Sequence, residues 1–462
     1  MNTSFFQDML GEIAERGRSL IERSAMVPAM SRVGWRNAPK SASIAELAHA
    51  LLSGRGEASG VALAKQVLDL YSGLSAEERT EFFRLLARDF APDPERIRAA
   101  WAEYEALQSP ASLQALLRAV EPPRQELFRR LNLAPGGTRA LVAMRQALLA
   151  EAGSEDFASV SDDLEHLFHS WFNRGFLMMQ RIAWSSPADI LERIIRYEAV
   201  HTIQGWDDLR RRVQPPDRRC YAFFHPSLVD EPLIFVEVAL TREIPGSIQE
   251  VLADEREPLA PERATTAVFY SISNCQPGLR GISFGNFLIK QVVEDLCRDI
   301  PSLKSFVTLS PVPGFGRWLS RVAADPGGAG LPGFDASRLA LLDNPDWHRD
   351  PALAAELRPV ILGLASAYFL RIKGGKGQPI DPVARFHLGN GARLERLNWL
   401  GDTSPKGLRE SAGLMVNYLY DLGTIEAHHE AYANQGTVAA SNPVQRQLRE
   451  FEAGILEGRV AV

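Results

Sequence analysis

Hydrophobic positions in the first part of the chain recur every three or four residues, which is the spacing of one buried face of an α-helix. This spacing is clearest in residues 47–52, 63–70 and 82–90. Ser75 and Glu78 form a capping box before the third of these groups, and Ser186 with Pro187 predicts a helix start before residues 188–197. The pattern predicts an all-helical region that extends to about Tyr197.

Beyond Tyr197, short apolar runs alternate with helical patterns. The runs predict strands at residues 220–224, 233–240, 266–273 and 305–309. The second run is almost continuously apolar, as in a strand that is covered on both faces of its sheet. The apolar run at 359–370 predicts a buried helix that is too short to span a bilayer. We therefore predict a multidomain chain, α and then α/β, with a helical domain at residues 1–193 and an α/β domain at 194–462.

Composition narrows the classes of function. A chain of 462 residues, 45% of them hydrophobic, can bury more than one core. Its net charge is only -6 and no basic stripe is present, which argues against nucleic acid as a partner. The start of the chain lacks the apolar block of a signal peptide, and three cysteines without a CxxC pair indicate a reducing compartment. We expect a cytoplasmic protein that does not interact with membranes.

One glycine-rich stretch carries the strongest chemical signal. Residues 278–290 read GLRGISFGNFLIK and follow the predicted strand at 266–273. A glycine turn between a strand and a helix leaves amide groups that bind phosphate oxygens. The stretch is neither a Walker A loop nor a GxGxxG motif. Its order of arginine, glycine and a small residue before a helix is similar to the acyl-CoA loop of GNAT acetyltransferases, in which the amides bind the pyrophosphate of coenzyme A.

Two further residues are candidates for chemistry. His387 lies near the end of a helix that begins at Asp381, a position that favours the imidazolium form and a proton donor near neutral pH. In GNAT proteins a tyrosine of the last helix faces the thioester and precedes a glycine by four residues, and His387 and Gly391 have that spacing. Ser310 ends a predicted strand, at the sheet edge where open α/β proteins bind ligands, just before the rigid turn PVPG.

The sequence contains no recognisable metal-binding or hydrolase motif. Glu165, His166 and His169 do not follow the order HExxH, so a helix face is the better interpretation. The motif GxSxG of a hydrolase elbow is missing.

Longer blocks identify a family. The sequence reads HPSLVDEPLIFVEVALT, FYSISNCQPGLRGISFGNFLIK, TLSPVPGFGRWL, FHLGNGARLERLNWLGD and GLMVNYLYDL, in that order, within residues 194–422. In order and spacing these blocks resemble the malonyl-CoA decarboxylase family. The N-terminal half resembles the family mainly in being helical and in its length.

The resemblance implies a helical domain for oligomer assembly and a GNAT-like domain that converts malonyl-CoA into acetyl-CoA and carbon dioxide. It implies a homodimer or homotetramer that needs no metal, biotin or nucleotide as cofactor. Ser310 and His387 would be the catalytic pair, and Ser271 and Tyr420 would line the malonyl pocket. The pyrophosphate loop would be formed by Arg280, Gly281, Ile282, Ser283, Phe284, Gly285 and Asn286. Some relatives have a glutamate at the position of Ser283, so a loop carboxylate is not available here as a partner of the histidine.

The roles of Ser310 and His387 can be assigned in two ways. In the first, Ser310 orients the malonyl carboxylate and His387 protonates the carbon; in the second, Ser310 acts as proton acceptor. Two other functions also fit the pattern. A GNAT acyltransferase would consume acyl-CoA only when an amine acceptor is present, and an acyl-CoA sensor would bind without turnover.

Overall fold

The computed structural model describes residues 40–53, 56–151, 157–282, 287–375 and 377–456. Its first part consists of packed helices, as the apolar spacing predicts. These helices are α1 (Lys40–Leu52), α2 (Glu57–Ser72), α3 (Ala76–Asp89), α4 (Pro94–Leu107), α5 (Pro110–Val120), α6 (Pro123–Asn132), α7 (Gly137–Ala150) and α8 (Ala158–Trp171). The capping box of Ser75 and Glu78 is present at the start of α3, and Phe82, Phe83 and Leu86 form the buried face of that helix.

The second part contains a mixed sheet. Its strands are β1 (Met178–Ile182), β2 (Arg218–Phe224), β3 (Pro232–Thr241), β4 (Thr266–Asn274), β5 (Ser305–Thr308), β6 (Ser310–Pro311), β7 (Arg393–Asn398) and β8 (Met415–Leu419). The order across the sheet is β1-β2-β3-β4-β5-β8-β6, and β7 also pairs with β8. Strands β4 and β5 are parallel, whereas β3 is antiparallel to β4, and β8 is antiparallel to β5, β6 and β7.

Helices connect and cover these strands. They are α9 (Ala188–Tyr197), α10 (Trp206–Val213), α11 (Ile248–Val251), α12 (Phe287–Asp299), α13 (Phe315–Ala324), α14 (Pro351–Leu370), α15 (Pro382–Gly389), α16 (Pro405–Ser411), α17 (Ile425–Gln435) and α18 (Asn442–Leu456). A buried cluster that includes Val268, Tyr270, Val307 and Leu309 joins β4 and β5, and Ile248 of α11 belongs to the same cluster. Ser310 follows directly after this buried part of the sheet.

The contacts divide the described chain into two compact units. The first contains residues 40–178 together with the short segments 224–233 and 276–282. The second contains the remaining described residues, including most of the sheet. The domain boundary between residues 193 and 194 stays a prediction.

Elements that differ from the sequence prediction include β1, β8 and α14. The helical pattern was expected to continue to Tyr197, but Met178–Ile182 forms the edge strand β1, whose mostly exposed residues show no alternation. Strand β8 was not predicted, because its buried Asn417 interrupts the apolar pattern. The predicted helix at 359–370 is the second half of α14, a 20-residue helix that has the length and apolar composition to cross a membrane; 61% of its most apolar window is buried inside the protein.

Strand β8 depends on one buried amide. Asn417 Nδ2 donates to the carbonyl oxygens of Thr308 (2.8 Å) and Pro245 (3.2 Å), and its Oδ1 accepts from Asn398 Nδ2 (2.8 Å). Replacing it by alanine would leave these buried groups without partners.

We expect Asn417→Ala to lower the free energy of unfolding by about 2–3 kcal/mol, since each buried polar group that loses its partner costs about 1–3 kcal/mol. Urea unfolding followed by circular dichroism measures the change. Asn274→Ala, at the exposed end of β4, is the matched control and should change stability by less than about 0.5 kcal/mol. Equal effects of the two substitutions would contradict the role of the buried amide.

Candidate active site

The structure brings Ser310 and His387 into direct contact. Ser310 follows β5 and pairs with Val416 of β8, while His387 occupies the last turn of α15. The distance between Ser310 Oγ and His387 Nε2 is 3.2 Å. Both residues are buried, with 5% and 3% of their surfaces exposed. Two segments that are 77 residues apart in the sequence therefore form one hydrogen-bonded pair.

Hydroxyl groups surround the imidazole. Tyr420 Oη lies 2.8 Å from His387 Nδ1, and Ser310 Oγ donates to Thr308 Oγ1 at 2.9 Å. Thr308 Oγ1 also accepts the backbone amide of Tyr418 at 3.1 Å. Because the Ser310 hydrogen is used towards Thr308, Ser310 Oγ accepts a hydrogen bond from Nε2–H. The neutral ring then accepts at Nδ1 from the hydroxyl of Tyr420.

Burial dominates the electrostatics of the histidine. Desolvation lowers the pKa of His387 to about 3, so the free ring is neutral at pH 7. The ring stacks on Tyr418 with a centroid distance of 4.7 Å and an interplanar angle of 24°. The prediction that the helix end favours the imidazolium is wrong for the free protein, because a helix terminus contributes only about 0.3–2 kcal/mol, which desolvation outweighs. Burial also raises the pKa of the Tyr420 phenol, which stays protonated.

A buried carboxylate anchors the helix of His387. Asp381 Oδ1 accepts the amides of Val383 and Ala384, both at 2.9 Å, and thereby caps the start of α15. The sequence indicated this helix start correctly. It did not reveal that the same carboxylate also reaches the segment of Ser310.

That second connection involves the turn after Ser310. A Cβ atom added to Gly314 would lie 3.5 Å from Asp381 Oδ2, and the Tyr368 hydroxyl lies 3.5 Å from the same oxygen. The Tyr368 ring packs against Phe315, the first residue of α13, at a centroid distance of 5.3 Å. One carboxylate thus holds both segments that carry the pair.

Ser271 is held by a different carboxylate. Its Oγ donates to Glu198 Oε2 at 2.7 Å, and Ser273 Oγ donates to the same oxygen at 3.2 Å. All three residues are buried. Glu198 was not identified from the sequence, because a single glutamate after a helix is no recognisable motif.

The strand register relates Ser271 to Ser310. Phe269 of β4 is aligned with Thr308 of the parallel strand β5, so Ser271 and Ser310 each follow two residues later. The hydrogen bonds of the described residues do not link Ser271 to Ser310 or to His387. Ser271 is therefore near the carboxyl end of its strand without joining the hydrogen-bonded pair.

The glycine loop is described only in part. Arg280, Gly281 and Ile282 follow the short 3₁₀ turn Pro277–Leu279, and the helix predicted after the glycines is present as α12. The loop residues Ser283, Phe284, Gly285 and Asn286 lie outside the described residues.

The described part of the chain contains no group of three or more His, Cys, Asp or Glu side chains arranged to hold a metal ion. Glu165, His166 and His169 lie together on α8, as expected for a helix face. The cysteines form no disulfide; Cys220 and Cys275 are buried, whereas Cys297 is exposed.

Comparisons with known proteins identify the same family along most of the chain. The family model described as malonyl-CoA decarboxylase C-terminal domain matches residues 175–457, and the model of the N-terminal domain of the same family matches residues 90–172. Mitochondrial malonyl-CoA decarboxylase of Anser anser anser is 37% identical over 418 residues, which cover 83% of this chain and 82% of that protein.

Solved structures give the same result. The crystal structure of malonyl-CoA decarboxylase from Rhodopseudomonas palustris is 58% identical, with a TM-score of 0.84, and covers 88% of this chain and 99% of that one. The corresponding structure from Agrobacterium vitis is 56% identical, with the same TM-score and the same coverage. The chain described here belongs to the malonyl-CoA decarboxylase family.

Proposed function

We propose that Ser310 and His387 carry out the reaction of this family, the conversion of malonyl-CoA into acetyl-CoA and carbon dioxide. Family membership makes the chain a carboxy-lyase. The observation that supports this role for the two residues is their buried contact of 3.2 Å, with Tyr420 on the other ring nitrogen. A proton donor and an orienting hydroxyl are thus adjacent in a site protected from water.

The reaction requires two catalytic contributions from the protein. Loss of carbon dioxide from a malonyl thioester leaves an enolate, whose negative charge collects on the thioester oxygen. Donors aimed at that oxygen can lower the barrier by roughly 3–4 kcal/mol each. A positioned proton donor for the carbon contributes about a hundredfold to ten-thousandfold in rate. We assign the orientation of the malonyl carboxylate to Ser310 and the protonation of carbon to His387.

The proton balance explains how a neutral histidine becomes a donor. The reaction consumes one proton for each malonyl-CoA, since an anionic carboxylate leaves as neutral carbon dioxide. A carboxylate bound beside the ring favours the imidazolium, because opposite charges attract strongly in a buried site. Tyr420 suits both states, since its hydroxyl donates to the neutral ring and accepts from Nδ1–H of the imidazolium. His387 then passes its proton to the enolate carbon and becomes neutral again.

In this proposal, the coenzyme A part of the substrate binds along the glycine loop. The amides of residues 280–286 bind the pyrophosphate of coenzyme A, and Ser271 lines the malonyl pocket. A GNAT-like architecture of residues 194–462 is supported by the order of β4, glycine loop, α12 and parallel β5.

We also infer a homodimer or homotetramer that assembles through residues 1–193. Large apolar side chains are exposed on α4 and α5, namely Trp101, Leu107, Leu113 and Leu117. Patches of this kind are typical of contact surfaces between subunits. A cytoplasmic location remains our proposal, from three cysteines without a CxxC pair.

Incubation of the purified protein with malonyl-CoA tests the reaction directly. With a chelator present and no acceptor amine, we expect equal amounts of acetyl-CoA and carbon dioxide by mass spectrometry, because no step in the proposal uses a metal or an acceptor. Malonyl-CoA that remains unchanged, or that is consumed only after an amine is added, would contradict the proposal.

His387→Ala should reduce acetyl-CoA formation by about a hundredfold to ten-thousandfold, the contribution of a positioned proton donor. Binding of malonyl-CoA, measured by calorimetry, should be largely kept. His225→Ala removes another buried histidine, which packs against Phe172 in the helical unit with tilted rings, and should leave turnover per folded molecule unchanged. Wild-type turnover in the His387 variant would exclude the proton-donor role.

Binding of an anionic substrate should be accompanied by proton uptake at pH 7. Free His387 is neutral there because its pKa is about 3, so an imidazolium in the complex must gain its proton on binding. Calorimetry in buffers of different ionisation enthalpy measures the uptake, with a CoA thioester that carries a sulfonate in place of the malonyl carboxylate. We expect close to one proton for this analogue, and none for acetyl-CoA or for the His387→Ala variant. Equal uptake in all three experiments would rule out the imidazolium.

A further inference from the structure

The glycine loop begins in close contact with α7. Gly278, in the turn Pro277–Leu279, is buried, and a Cβ atom added there would lie 2.0 Å from the carbonyl oxygen of Val142. Only glycine fits such an approach. The helical unit therefore contains the first described residues of the loop as part of its own packing.

Arg145 of α7 binds this segment through two backbone carbonyls. Its Nη1 donates to the oxygen of Gly278 at 2.8 Å and to the oxygen of Arg280 at 2.6 Å. Its Nη2 donates to Glu165 of α8. Only 2% of the Arg145 surface is exposed. A buried guanidinium with a rigid fork of donors fixes the orientation of the peptide groups that it contacts.

The orientation of one peptide group matters most. In a trans peptide the carbonyl of residue 280 and the amide of Gly281 point in opposite directions, and the structure has no cis bond among its described residues. Because Arg145 holds the Arg280 carbonyl, the Gly281 N–H points away from Arg145. The neighbouring amides of Leu279, Arg280 and Ile282 donate to backbone carbonyls, but no acceptor is present for Gly281 among the described hydrogen bonds.

Glu165 completes the arrangement. Gly281 has a φ of 89°, and a Cβ atom there would lie 3.2 Å from the Glu165 carboxylate. The left-handed backbone and the short approach both favour glycine. Glu165 is ion-paired with Arg145, which reduces the repulsion between its carboxylate and a phosphate group near Gly281.

We propose that Arg145 is a positioning residue for acyl-CoA binding, which directs the free amide of Gly281 towards the pyrophosphate. This inference rests on the proposed role of the loop. According to this inference, helix α7, which lies outside the sheet, contributes to the affinity for the coenzyme A tail. Arg145 itself makes no contact with the reacting atoms.

The test compares Arg145→Lys with the wild-type protein on three substrates. Lysine keeps the charge but cannot bind two carbonyls and Glu165 in a fixed fork. We expect kcat/KM for malonyl-CoA to fall about tenfold to a hundredfold, as for the loss of hydrogen bonds from a charged donor. Malonyl-dephospho-CoA, which keeps the pyrophosphate, should show the same loss. Malonyl-pantetheine, which lacks the pyrophosphate, should react at the wild-type rate, and this also shows that the variant is folded.

Arg124→Lys is the matched control. Arg124 is equally buried in the helical unit, but it binds Asp163 and does not contact the loop. Its substitution should leave the ratio of kcat/KM for malonyl-CoA to that for malonyl-pantetheine unchanged. The same unchanged ratio in Arg145→Lys would overturn the positioning role. A wild-type protein that shows no preference for malonyl-CoA over malonyl-pantetheine would instead overturn the role of the loop.

Discussion

The buried carboxylate of Asp381 is the constraint on which the site depends. A carboxylate removed from water is costly unless its oxygens accept hydrogen bonds, and burial accordingly raises the pKa of Asp381 while the amides of Val383, Ala384 and Gly314 oppose that rise. Those amides belong to two separate segments, the helix of His387 and the turn after Ser310. Satisfying one buried charge therefore fixes the relative position of both segments.

The groups that surround His387 distinguish this pair from a hydrolase triad. In a triad, a carboxylate on the second ring nitrogen orients the imidazole and stabilises the imidazolium that forms after proton transfer from serine. Here that nitrogen faces the hydroxyl of Tyr420, and the ring is stacked on Tyr418. Among the described residues, no carboxylate is hydrogen-bonded to the ring to help it deprotonate Ser310. The arrangement suits a serine that orients a ligand better than a serine that attacks one.

Patterns that repeat within a few residues were readable from the sequence, and contacts between distant segments were not. The helix spacing, the capping box at Ser75 and the near-continuous strand β3 follow from local preferences and were predicted correctly. Strand β8 was missed because Asn417 is buried by a tertiary amide network that local patterns do not encode. His387 and Ser310 could be selected as candidates because one lies near the end of a predicted helix and the other ends a predicted strand. The pKa of His387 was misjudged because desolvation depends on the whole packed site, and Glu198 was missed because its partners are 73 and 75 residues away.

The packing of residues 276–282 with helices α7 and α8 has a consequence for evolution and engineering. The sequence places this segment in the catalytic half, but Gly278 fits against Val142, and Gly281 lies beside Glu165 of the helical part. A fragment that begins at residue 194 would keep Ser310 and His387 and lose the support of the loop. Chimaeras between family members should for the same reason exchange the loop together with both helices. The described loop residues and these helices pack in one compact unit, although more than a hundred residues separate them in the chain.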